Sequence, residues 1–178
     1  MHFSFFILHF QFIILKRIGL LSDTHHYLDD AVFKHFEECD EVWHCGDFGT
    51  AEMIDQLEAF RPLKGVYGNI DGYDVRSRVP EVSAFRCEEV KVMMIHIGGY
   101  PGRYSALAKK EMAAFQPKLF ISGHSHILKI IYDDKLKCLH MNPGAAGKHG
   151  WHKSRTLVRF SIEGSAITNC EVIELGKR

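Results

Sequence analysis

From Lys16 onward, short apolar runs alternate with amphipathic stretches. The run 18–22 predicts a buried strand, and Leu28, Ala31, Val32 and Phe36 fall close to helical spacing over 28–37. Residues 41–45 form the next apolar run. Thr50 suits the N-cap of a helix over Ala51–Phe60, whose Met53, Ile54 and Leu57 make one apolar face. Pro62 stops that helix, and 63–67 predicts a third strand. Two apolar runs, 83–87 and 90–96, flank Glu88 and Glu89 as a hairpin would. A helix over 103–115 is stopped by Gln116 and Pro117, and a strand follows at 118–122. Four more strands are predicted at 127–132, 136–141, 156–162 and 166–173, with turns at Asp133-Asp134 and Glu163-Gly164. An alternating first half and a strand-rich second half predict an α/β fold, a layered sandwich with a large, partly mixed sheet system.

Composition narrows the classes. The 178 residues suffice for one domain with a substantial core, and 46% hydrophobic with 25% charged residues is globular composition. Basic and acidic residues balance at 22 each, so nothing global points to a nucleic-acid polymer or a membrane surface. Five cysteines, odd in number and never spaced as CxxC, argue against a disulfide framework and a thiolate zinc site. A reduced, cytoplasmic setting is the expectation. The opening segment 1–15 is too short for a membrane helix and lacks the layout of a signal peptide. It reads as an extension outside a single core domain over 16–178, as an over-called start would leave. The alternative is a real apolar element that covers an edge or builds a homodimer contact.

Twelve histidines are many for this length, and their placement carries the chemistry. Asp23 and His25 follow the first predicted strand, Asp47 the second and Asn69 the third. His96 ends a later strand, and His124 and His126 follow another. Strand ends are where open α/β sheets bind ligands, and residues two apart in extended chain point the same way. Gly46, Gly68 and Gly123 precede ligands, where the backbone has to turn or pass close to an ion. Carboxylate, imidazole and amide donors suit Mn²⁺, Fe, Zn²⁺, Ni²⁺ or Co²⁺ better than Ca²⁺ or Mg²⁺, with Mn²⁺ favoured. Two divalent ions against Asp23 and Asp47 leave a net positive site, suited to a hydroxide and a phosphate group.

In order, the chain carries Asp23-x-His25, Gly46-Asp47, Gly68-Asn69, a single His96 and Gly123-His124-x-His126. This series resembles the calcineurin-like metallophosphoesterases, in particular their small bacterial and archaeal phosphodiesterase branch. The resemblance implies an α/β/β/α sandwich with two mixed sheets flanked by helices and a dinuclear site at the strand ends. It implies that Asp23, His25, Asp47 and His126 hold one metal, and that Asp47, Asn69, His96 and His124 hold the second, with Asp47 shared. It further implies hydrolysis of a small phosphate ester, a diester before a monoester, by in-line attack of a hydroxide between the ions. Asp47, Asn69 and His124 are the residues expected to carry catalysis.

The departures from the family pattern matter as well. Many members continue Gly-Asn with a histidine that protonates the leaving group; here the next residue is Ile70. Asp71 is adjacent, and a helix-capping or ion-pair role is the reading preferred for it over that of proton donor. His26 replaces a glycine and is read as a rim residue. After Asn142-Pro143-Gly144, the residues Lys148, His149, Trp151, His152 and Lys153 offer cations and an aromatic face. His149 and His152, with Asn69, are the candidate substrate contacts, the alternative being a solvated loop. His44 is read as core beside Asp47, and Tyr67 as core. The rival function is a catalytically weak scaffold on the same fold, like a subunit of a membrane-trafficking coat that resembles these enzymes.

Overall fold

Alternation along the strands sorts apolar side chains onto two faces, and that sorting builds the layers. The computed structural model describes residues 15–178. The segment 1–14, with the expectations attached to it, lies outside the described residues. One sheet has the order β10 (Ala166–Lys177), β9 (Ser154–Glu163), β1 (Lys16–Leu21), β2 (Glu41–His44), β3 (Leu63–Gly65). The other runs β4 (Val82–Cys87), β5 (Val90–Ile95), β6 (Leu119–Ile121), β8 (Cys138–Pro143), β7 (Leu128–Asp133). In the first, β1, β2 and β3 are parallel, and β9 and β10 are added antiparallel. In the second, β5, β6 and β8 are parallel between antiparallel edges.

Between the sheets, Ile18, Leu20 and Trp43 meet Val92, Met94, Leu119 and Ile121. On the outer face of the first sheet, Leu21 and Val42 pack with Val32 of α1 (Asp30–His35), Met53, Ile54 and Leu57 of α2 (Ala51–Phe60) and Val75 of α3 (Tyr73–Arg76). On the outer face of the second, Met93, Ile95 and Phe120 pack with Ala108 and Met112 of α4 (Ala106–Phe115). Residues adjacent in sequence thus enter different cores, and the order of layers is α/β/β/α. Among the described residues, no helix is long and apolar enough to cross a membrane.

Differences from the predicted elements have local causes. Asp29 accepts a hydrogen bond from the Ala31 amide and starts α1 later than the apolar spacing does. Ser105 caps α4 in the same way, whereas Thr50 precedes α2 without a side-chain cap bond. The third strand is shorter than predicted. Tyr67, read as core, is half-buried under the Arg76 guanidinium, 4.7 Å above its ring. The Asp133 carboxylate receives the Lys135 and Leu136 amides, which delays β8. β10 continues to Lys177 because Ser154, at the start of β9, pairs with it. α3 is four residues long, too short to show a helical period.

Gly19 lies in β1 beneath Phe36, where an added Cβ would sit 2.5 Å from ring atom Cγ. Gly19→Ala is expected to cost about 1–3 kcal/mol by overpacking, seen as a lower urea midpoint with unchanged slope. An unchanged midpoint would mean that the Phe36 contact is not tight.

Candidate metal centre

Each candidate ligand sits where a parallel strand has just ended. The turn after β1 carries Asp23 and His25, and the turn after β2 carries Asp47. The two turns are zipped together: the Asp23 amide donates to Gly46 O (2.9 Å), His25 to Asp47 O (3.0 Å) and His26 to Phe48 O (3.0 Å). The second sheet joins through the His124 amide, which donates to both Asp23 carboxylate oxygens at 3.2 and 3.1 Å. Asp23, His25, Asp47, His124 and His126 all have left-handed backbone, with φ of 55, 47, 59, 65 and 56°. Such conformations cost L-residues energy and persist where surrounding bonds over-determine them.

Two donor groups result, Asp23/His25/His126 and Asp47/His96/His124, each close enough to share one ion. In the first, His126 Nε2 lies 3.2 Å from both Asp23 Oδ1 and His25 Nε2. In the second, His96 Nε2 lies 3.3 Å from Asp47 Oδ2 and 3.2 Å from Asn69 Oδ1. Asp47 Oδ2 is also 3.5 Å from His25 Nε2, so one oxygen faces both groups. The other oxygen, Oδ1, accepts the Ile70 amide at 3.1 Å. The structure therefore brings all seven candidate ligands together.

Neighbouring groups set which ring nitrogen is available. His96 Nδ1 donates to Cys45 O at 2.7 Å, so Nε2 faces Asp47 and Asn69: protonated, it bonds Asp47, and in the neutral ring it offers them a lone pair. His152 Nε2 donates to Gly147 O at 3.0 Å, so its Nδ1 accepts from His126 Nδ1 at 3.3 Å. His126 Nε2 is thereby left as a lone pair facing Asp23. For His25, burial outweighs the Asp47 and Asp23 charges and holds the imidazole below its ordinary pKa. Burial also opposes charge on His96, but the Asp47 hydrogen bond and the Asp23 charge prevail and raise its pKa. Asp47 is lowered: burial is the largest single influence and acts against ionisation, but the His96 hydrogen bond and charge, the Ile70 amide and the His25 charge together outweigh it.

Three supports brace these donors, and the role of Asp71 is the one not read from the sequence. Gly72 rather than Asp71 caps α3, and among the described residues the Asp71 carboxylate forms no ion pair. It accepts the backbone amides of Asp47 (3.0 Å), Gly49 (2.8 Å) and Gly68 (2.7 Å) and ties the second turn to the third. His44 is fully buried, stacks on Phe48 at 3.7 Å and bonds Thr24 Oγ1 at 2.9 Å. Burial pushes its pKa down to about 3, so it stays neutral and packs beside Asp47 as expected. At Gly68 a Cβ would collide with the Asp47 carboxylate, and at Gly123 with Ser22 Oγ, so both glycines permit close backbone approach.

Above the donors opens a cavity of about 450 Å³ whose lining includes Ile70, Ser125, Ile127, His149, Trp151 and His152. His149 is exposed, with its ring 4.9 Å from that of His25, and Trp151 is fully exposed at the rim. Lys148 instead lies 4.1 Å over the Tyr27 ring, and the exposed His26 packs against Gly49. A larger cavity of about 770 Å³, among Lys91, Lys109 and Lys118, contains none of these donors.

Residues 17–165 match the calcineurin-like phosphoesterase superfamily domain. The chain belongs to this family. It is 33% identical over 154 residues to a probable metallophosphoesterase of Methanocaldococcus jannaschii, a match covering 82% of this chain and 73% of that one. The fold is shared with solved structures at lower identity. A structure described as a novel archaeal phosphodiesterase superposes with TM-score 0.69 at 21% identity, covering 89% of this chain and 99% of the other. A single mutant of Vps29 from Entamoeba histolytica superposes with TM-score 0.70 at 16% identity, over 90% and 99%. The expected family and the two-sheet sandwich are thus both found.

The His126–His152 contact generates a prediction. His152→Ala should weaken metal binding at the Asp23/His25/His126 group by roughly 10–100-fold, read by competition with a chromogenic chelator. Unaltered affinity would show that His152 does not orient His126.

Proposed function

We propose that residues 16–178 form a dinuclear-metal phosphoesterase that hydrolyses small phosphate esters, diesters in preference to monoesters. The observation that carries this reading is Asp47 Oδ2, which faces His25 Nε2 at 3.5 Å and His96 Nε2 at 3.3 Å. Lone pairs crowded at such distances repel one another unless a cation or proton lies among them, and a mixed oxygen and imidazole set suits a divalent transition metal. Asp23, His25, Asp47 and His126 would hold one ion; Asp47, Asn69, His96 and His124 would hold the other. Mn²⁺ is the favoured ion, with Fe, Zn²⁺, Ni²⁺ and Co²⁺ as the other candidates. Ions bound there supply a low pKa for water and neutralise phosphoryl oxygens.

The chain's own residues set the rest. Asn69 offers its amide beside His96, and His124 brings its imidazole to the cavity floor. His149 and His152 border the space a phosphate ester would occupy. Ile70 lines the same space and donates no proton to a leaving alcohol. A missing general acid typically costs about 10²–10⁴ in rate, so esters with good leaving groups should be favoured. A second reading, a catalytically weak protein-interaction module on the same fold, draws support from the apolar rim of Ile70, Ile127 and fully exposed Trp151.

The test is hydrolysis of bis-p-nitrophenyl phosphate, p-nitrophenyl phosphate and a dialkyl phosphate by metal-stripped protein, with each ion returned in turn. Activity should return with metal, vanish in Asp47→Asn and be far greater on the aryl diester than on the alkyl one. Equal rates on aryl and alkyl diesters would refute the leaving-group account. Tight metal binding without hydrolysis of any ester would favour the interaction module.

A further inference from the structure

A second cavity, of about 240 Å³, adjoins the first, and His124, Ser125 and Ile127 line both. Ile97, Tyr100, Lys129 and His140 form much of the remaining wall. Its polar groups divide unevenly between acceptors and donors. Three of the acceptors are engaged within the protein: Gly99 O by Ser122 Oγ at 3.1 Å, Gly123 O by Asn142 Nδ2 at 2.9 Å, and Asn142 Oδ1 by the Gly144 amide at 3.0 Å.

The donors are left over. Lys129 forms no ion pair with a carboxylate among the described residues; its ammonium rests 4.1 Å from the centre of the Tyr100 ring. Ser125 Oγ accepts the Ile127 amide (3.3 Å) and Asn142 Nδ2 (3.1 Å), which leaves its hydroxyl proton to donate elsewhere. His140 is only 1% exposed and closes the wall behind these two groups. Burial, helped by the Lys129 charge, pushes this imidazole down to about 4, so it stays neutral. A donor-rich pocket with an uncompensated cation suits an anion, and the Tyr100 face with Ile97 and Ile127 suits an apolar body.

We propose that this cavity receives the leaving group of the ester, and that this group is an alcohol carrying a second anionic group held by Lys129. The inference rests on the phosphoesterase reading. Hydrolysis adds water across one P–O bond and releases the alcohol with its anionic group unchanged. The two donor groups would hold the ions that serve the phosphoryl group, while Lys129 contributes to choosing the alcohol.

The test compares phenyl esters of phosphate that differ only in the para substituent: hydrogen, carboxylate or phosphonate. Wild-type protein should favour one or both anionic esters by about tenfold or more in kcat/KM, mainly through KM. Preference for the carboxylate alone or the phosphonate alone identifies which anion the pocket takes. Lys129→Gln should bring the ratio of anionic to plain ester close to one, and Lys129→Arg, which keeps the charge, should preserve it. A wild type that does not discriminate, or a Lys129→Gln ratio equal to the wild-type one, overturns the proposal. Hydrolysis of the plain ester reads the phosphoesterase activity separately; if no ester is cleaved with any metal, that reading fails and this one falls with it.

Discussion

Asp47 Oδ2 lies within 3.5 Å of imidazole nitrogens from two different donor groups, and the loops around it are built to hold it there. Donors crowded in this way repel one another unless a cation or proton lies among them, so the loops have to hold them in place. Backbone amides supply that hold. Asp71 binds the Asp47 amide from one side, the Ile70 amide fixes Oδ1 from another, and the Asp23 turn is laced to the Asp47 turn by three main-chain bonds. The left-handed backbone at five of the seven candidate ligands is the strain that this bracing sustains.

The centre also belongs to neither sheet alone. Asp23, His25, Asp47 and Asn69 come from the first sheet, while His96, His124 and His126 come from the second. Bonds cross the gap at the donor end, among them His96 Nδ1 to Cys45 O and the His124 amide to both Asp23 carboxylate oxygens. The shared core of Trp43, Leu20, Met94 and Ile121 sets the separation of the sheets beneath them. A change in that core therefore reaches the distances among donors, so packing and chemistry are coupled through sheet spacing.

How much of this was legible in the chain depends on range. Short apolar runs at 18–22 and 90–96 identified strands, because burial between two cores is a local property of each run. The ligand motifs were legible for the same reason: each is two or three residues beside a strand end. Three features were not. Asp71 works through backbone amides 22 to 24 positions upstream as well as near ones, and an aspartate beside Gly-Asn carries no mark of that. His152 reaches His126 across 26 positions. It was read as a substrate-rim residue, with a solvated loop as the alternative. The cavity beside His124 draws on β7, β8 and the loop after β5, which nothing local connects. Long-range side-chain pairings are where sequence reading ends.

The central claim is that one carboxylate, Asp47, joins two metal ions. Electron paramagnetic resonance of metal-free protein titrated with Mn²⁺ tests it most directly. Two equivalents should bind and give an exchange-coupled spectrum, because ions that share a carboxylate oxygen are magnetically linked. Binding of a single equivalent, or of two that give only the six-line signal of isolated Mn²⁺, would contradict the account.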